Sequence, residues 1–239
     1  MKSATLLLAS LALGTVALHA DNSVADPYRP TGRLDVSQKM VRQGVQPLLD
    51  WEINYPVRID DLVEINPTDD SIRTKQRTLV EVRVVGAGFQ IGSTHTKLAV
   101  QSKIGGSSWK TLFHGRDYET DPSEVVLSQV VDAGTRLDFS ARARKLSRGW
   151  YSSRNTLDPT PTVQAMTNGD YVPDYLPAYD QGDISSFLTS YISGDNQVTI
   201  GPRDVIYLFE LYSTNPTSSY FDMQDMVVVV SFKDVPASN

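Results

Sequence analysis

The chain has 239 residues, 40% hydrophobic and 21% charged, and its 22 Lys+Arg against 28 Asp+Glu leave a formal charge of −6. That is enough apolar chain for one sizeable core and too much for wholesale disorder. The acidic balance argues against nucleic-acid binding, which needs a basic footprint, and the absence of cysteine excludes disulfides, thiolate nucleophiles and cysteine-ligated metals.

Residues 1–20 have the layout of a secretory signal peptide. Lys2 is followed by an uncharged apolar run from Ser3 to Ala17, and Ala17-Leu18-His19-Ala20 leads into Asp21. Cleavage is expected after Ala20, with Ala17 as the second choice. No later stretch is apolar enough to span a bilayer, so no transmembrane anchor is expected after cleavage. Neither a cysteine nor an Asn-x-Ser/Thr acceptor is present, since Asn215-Pro216-Thr217 is disqualified by its proline. Both absences suit a secreted or periplasmic bacterial protein.

Residues 21–46 are polar and carry Pro27, Pro30, Gly32 and Gly44, so they read as an irregular N-terminal arm. Residues 47–239 then read as a single domain built of strands. Leu49, Trp51, Ile53 and Tyr55 alternate with polar residues, as do Val80, Val82 and Val84, then Leu98, Val100 and Ile104, then Leu137, Phe139, Ala141 and Ala143. Period-two alternation places one set inward and the other in water. Further strands are predicted at 61–66, 107–114, 124–131, 197–200, 204–212 and 223–232. The last two are apolar on both faces and should be central.

Turn chemistry separates these runs, as at Gly105-Gly106, Asp132-Ala133-Gly134, Asn168-Gly169 and Gly201-Pro202. The predicted fold is therefore an all-β antiparallel sandwich, with an open jelly roll as the nearest variant. One segment has a helical period. Ile184, Phe187, Leu188, Tyr191 and Ile192 fall on one face, between a capping Asp183 and a terminating Gly194, and predict a short helix over 184–193. Residues 147–182, with Pro159, Pro161, Pro173 and Pro177, read as a long loop of the kind that often carries function.

Familiar catalytic motifs do not hold up. His95 and His114 are the only histidines beyond residue 20, and neither accompanies a nucleophile elbow. Gly86-Ala87-Gly88-Phe89-Gln90-Ile91-Gly92 follows a strand but precedes another, so it offers no helix N-terminus for a pyrophosphate. Ser107-Ser108-Trp109-Lys110 has the Ser-x-x-Lys spacing but lies in a hairpin. Glu210 stands in the apolar run 205–212 and is the carboxylate to watch, because burial would raise its pKa.

Among metals, calcium suits this composition, since hard cations take oxygen ligands from acid-rich loops. The candidate ligands are Asp180, Asp183, Asp222 and Asp225, with further acidic turns at Asp60-Asp61 and Asp69-Asp70. In a regular strand Asp222 and Asp225 face opposite sides, so they can share an ion only across a turn or bulge.

For ligand binding, the long loop offers Trp150, Tyr151, Tyr171, Tyr175 and Tyr179 interleaved with acids such as Asp174. Flat rings beside hydrogen-bonding groups suit a glycan or cell-surface polymer. Arg136, Arg142 and Arg144 share the outward face of one strand, where they are expected to pair with acids on a neighbouring strand or to protect an edge. The leading expectation is a secreted, non-enzymatic β-sandwich binding module. The alternatives are a self-assembling extracellular subunit, joined through residues 21–46, and a carboxylate hydrolase built on Glu210.

Overall fold

The computed structural model describes residues 29–36, 49–158, 161–172, 188–193 and 195–236. In chain order the elements are β1 (Thr31–Val36), β2 (Leu49–Asn54), α1 (Ile59–Leu62), β3 (Val63–Ile65), β4 (Ile72–Thr74), β5 (Thr78–Gly86), β6 (Gln90–Ile91), β7 (Thr94–His95), β8 (Leu98–Ile104), β9 (Lys110–Gly115), β10 (Leu127–Val131), β11 (Arg136–Ala143), β12 (Arg154–Asn155), β13 (Val163–Thr167), β14 (Asp204–Phe209) and β15 (Met226–Lys233). All strand pairings are antiparallel. One sheet runs β10-β5-β15-β14-β13, and the other runs β3-β4-β11-β8-β9 with β12 added beside β11.

Alternation explains how the two sheets meet. Val80, Val82 and Val84 of β5, Val228, Val230 and Phe232 of β15, and Val205, Tyr207 and Phe209 of β14 form the inner face of the first sheet. They pack against Leu98 and Val100 of β8 and Leu137, Phe139 and Ala141 of β11. Each fully buried Val, Leu or Phe among them contributes about 1.5 to 3 kcal/mol of transfer free energy. The intervening residues of the central strands are apolar too. Val85, Ile206, Leu208, Val227 and Val229 form a second cluster with Val172, Leu188, Ile192, Val198 and Ile200. The first sheet is thus buried on both faces, which is why its central strands read as unbroken apolar runs.

The second sheet meets water more. Behind Phe139, however, the outer face of β11 is partly closed. Arg136 donates to Asp138 at 2.9 Å and to Asp69 at 2.9 Å, while Thr156 donates to Asp138 at 3.2 Å. Arg136 thus pairs with acids of its own strand and of the turn before β4, not with acids of a neighbouring strand as expected. Arg142 instead lies 4.5 Å from the centre of the Trp150 ring.

Several elements differ from the sequence pattern. Residues 59–62 form one helical turn where the strand was expected to begin at 61. The Asp61 carboxylate accepts the Arg58 N–H at 3.0 Å, which closes that turn, and β3 starts at Val63. Within the predicted helix 184–193, residues 188–190 make a single 3-10 turn and Ile192 already bridges Val198, while 184–187 lie outside the described residues. The run 147–182 contains β12 and β13, and β13 is an edge strand of the first sheet.

The arm 21–46 contains β1, which pairs with β2 alone, Leu34 opposite Trp51. Trp51 (66% exposed), Ile53 and Tyr55 were expected inside but are exposed, because their strand pairs with neither sheet.

A polar contact ties the two layers. The buried Tyr207 hydroxyl donates to the Asp70 carbonyl at 2.6 Å. Asp70 itself holds a left-handed backbone, φ +54°. Burial pushes its carboxyl up to about 6, helped by the charge of Asp69 and opposed by an N–H from Ala165. The folded chain therefore holds this proton more tightly than the unfolded chain, and the Asp70 contribution to stability falls as pH rises from about 4 towards 6. Asn tolerates the same backbone. In thermal melts across pH 4 to 7, Asp70→Asn should gain on the wild type as pH rises; a constant difference would show that Asp70 does not titrate in this window.

Candidate functional site

The central strands of the first sheet bring three strand ends together. β5 ends at Gly86, β14 ends at Phe209 and β15 begins at Met226; since neighbours are antiparallel, all three lie at one end of the sandwich. From the second sheet, the segment after β11 arrives at the same end, where the Tyr151 N–H donates to the Ala143 carbonyl at 2.9 Å. Between these segments lies a cleft of about 400 Å³ lined by Gly88–Gly92, Tyr151, Tyr212, Ser219, Tyr220, Asp222 and Asp225.

Three carboxylates meet at this end. Glu210, Asp222 and Asp225 each offer an oxygen, and these oxygens lie within 4.8 Å of one another. Met223 makes the convergence possible. Its left-handed backbone, φ +56°, turns the chain between the two aspartates and cancels the alternation that would part them. Gln224 then bridges Phe209, which sets Asp225 beside Glu210.

Backbone donors hold the acids in place. Glu210 Oε1 accepts N–H bonds from Tyr212 (2.9 Å) and Ser213 (2.7 Å), and its Oε2 accepts one from Asp222 (3.0 Å). Asp225 Oδ2 accepts from Leu211 at 2.6 Å. Glu210 is fully buried and Asp225 is 7% exposed. No Lys, Arg or His pairs with any of the three among the described residues. Burial and then mutual repulsion raise the carboxyls of Glu210 and Asp225, the latter well above the ordinary range, and burial raises Asp222.

Aromatic rings make up much of the remaining wall. Phe89 meets Tyr151 edge-on at 5.9 Å, Tyr151 meets Tyr212 at 5.6 Å, and Tyr212 meets Tyr220 at 5.8 Å. The ladder runs from a buried ring to exposed ones, since Phe89 is 3% exposed and Tyr220 is 70% exposed. Gln90, Ile91 and Gly92 of the hairpin β6–β7 complete the lining; the hairpin turns at Gly92 (φ +61°), and the His95 ring is hydrogen-bonded to the Asp117 carboxylate.

The sequence-predicted residues divide. Tyr151 lines the cleft, and Asp222 and Asp225 share the carboxylate cluster. Trp150 packs at a tilt against His114 and under Arg142 instead of lining it. Tyr171, 70% exposed, bridges Gln197 and is not part of the cleft wall. Asp174, Tyr175, Tyr179, Asp180 and Asp183 lie outside the described residues. Sequence reasoning missed Phe89, Tyr212 and Tyr220, and it treated Glu210 as a lone acid. The available signal was position: each follows or precedes a central strand on the same side. Comparison with protein-family models, curated proteins and solved structures returned no match.

The gradient of burial along the ring ladder separates packing from presentation. Phe89→Ala should cost about 3 to 5 kcal/mol in denaturant unfolding. Tyr220→Ala should stay within about 0.5 kcal/mol of the wild type. Equal costs would mean that Tyr220 is a packing residue.

Proposed function

We propose that the chain is a binding module whose end cleft takes a sugar ring of a glycan or cell-surface polymer. The observation that carries this reading is the pair of exposed rings, Tyr212 (52% exposed) and Tyr220, standing beside the carboxylates of Asp222 and Asp225 in one cleft. A pyranose has an apolar C–H face, which stacks on an aromatic ring, and an equator of hydroxyls, which seek carboxylate acceptors. The cleft volume lies in the range of small-ligand pockets. Export directed by residues 1–20 would present such a module to extracellular polymers. Among the described residues, no helix is long and apolar enough to cross a membrane.

Retention on a panel of immobilised polysaccharides tests the reading. The wild-type chain should be retarded by at least one member of the panel, and Tyr212→Ala with Tyr220→Ala should weaken binding about tenfold or more, the loss of roughly 1.4 kcal/mol. Retention unchanged in the double variant would remove the cleft as the site.

A second reading, self-assembly, is favoured by the apolar row on β1–β2. Leu34, Trp51 and Ile53 share one exposed face, and Arg33 and Glu52 share the other. A lone two-stranded hairpin is marginal in water, and the same hairpin of a second copy would cover this face. Sedimentation should then show wild-type association that Trp51→Glu abolishes; a wild-type chain that remains monomeric at all concentrations would exclude it.

A further inference from the structure

The carboxylate cluster is an unusual arrangement, because no positive side chain among the described residues stands against it. Two of its acids are buried, and the oxygens of all three stand within 4.8 Å of one another. Such a group is stable either with protons shared among the acids or with a cation between them. A second feature favours the cation. Gln224 is 1% exposed, and its amide end lies against the cluster, with Nε2 3.2 Å from Asp222 Oδ2. Its other amide atom, Oε1, has no hydrogen-bond partner among the described residues. A buried amide oxygen without a donor is costly. Half a turn about the last side-chain bond exchanges the two amide atoms at the same shape. It gives up the Nε2–Asp222 bond and places Oε1 beside Asp222 as a fourth oxygen, an arrangement that is repulsive without a cation and favourable with one.

We infer that Glu210, Asp222, Asp225 and Gln224 form a binding site for one calcium ion, whose open coordination positions face the cleft and take two neighbouring hydroxyls of the bound sugar. The second half of this inference rests on the glycan reading of the cleft; the first half does not.

The chemistry of the donors selects the ion. They are all oxygens, three of them anionic, which suits a hard divalent cation. Calcium bonds of about 2.4 Å let a single ion span ligand oxygens up to about 4.8 Å apart, whereas magnesium at about 2.1 Å requires a tighter octahedron. Calcium takes six to eight oxygens, more than four side chains supply unless most are bidentate. The deficit falls on the cleft side, because Asp222 and Asp225 line the cleft while Glu210 is sealed behind them. Vicinal hydroxyls of a sugar are neutral oxygen donors at a fixed spacing and can replace two waters there. Tyr212 and Tyr220 flank the same opening, so ion and rings would hold one sugar between them.

Isothermal titration of calcium chloride into the full chain, stripped with a chelator, tests the ion site without any sugar. One equivalent should bind, magnesium should bind at least tenfold more weakly, and calcium should raise the melting temperature by several degrees. Asp225→Asn should abolish both the heat and the thermal shift. Because Asn keeps an acceptor for the Leu211 N–H and offers Glu210 an N–H in place of the proton held there, this variant should melt no lower than the stripped wild type, so loss of binding is distinct from loss of fold. Gln224→Leu, which keeps the shape and removes the oxygen, should weaken calcium binding fivefold or more. No calcium uptake at millimolar concentration, or uptake unchanged in Asp225→Asn, would overturn the site.

Polysaccharide retention with and without chelator tests the coupling. Retention lost in chelator and restored by calcium is expected, and Tyr220→Ala should keep calcium binding while losing retention. Calcium bound normally but retention indifferent to chelator would overturn the role of the ion in holding sugar and leave the cleft reading intact. Calcium bound with no polysaccharide retained under any condition would overturn the cleft reading and leave the ion site intact.

Discussion

Burial of the first sheet on both faces is the constraint from which the rest of the architecture follows. A strand with water on one side can slip by two residues at modest cost, since its inward set remains inward. β14 and β15 lack that freedom, because Ile206, Leu208, Val227 and Val229 must fill one layer while Val205, Tyr207, Val228 and Val230 fill the other. The irregularity between Val227 and Val228, where β15 shifts register against β5, lies at the end of the sheet next to the carboxylates. The strands are thus held tightly along their length and loosen only where the chain must turn into the cleft.

At that end the chain departs from regular structure. Met223 adopts a backbone that costs a non-glycine residue about 1 to 2 kcal/mol. The gain is a pair of aspartates on one side rather than two, and a glutamate whose oxygens accept three backbone N–H groups. Amides supply partial positive charge, and no Lys, Arg or His among the described residues adds a full one. The cluster therefore combines tight positional control with carboxyls that burial and one another's charge hold above their ordinary range.

Most of the sandwich could be read from the chain because alternation is a local signal. Val80 to Val84, Leu98 to Ile104 and Leu137 to Ala143 form strands where the pattern placed them, and the doubly apolar runs are central. Failures came where burial is not a local property. Trp51 and Ile53 alternate like core residues but sit on a hairpin that neither sheet covers. β13 was hidden by the prolines before it, although Val163-Gln164-Ala165-Met166-Thr167 pairs along the whole of its length with β14. In the site, Asp222 and Asp225 were legible by composition and conditional on a turn, and the turn exists. Their partnership with Glu210 was not legible, because it depends on strands that are neighbours in space and separated in sequence.

The ring-bearing segment from Tyr212 to Tyr220 has one more consequence. It is held by short-range contacts of its own, such as those of Ser213, Asn215 and Ser218, and contributes no strand to either sheet. Insertions or exchanges there would alter the cleft rim without disturbing strand register. The scaffold and its acidic floor can stay constant while the rim varies, so related chains can differ in the shape of the cleft mouth by changing this segment alone.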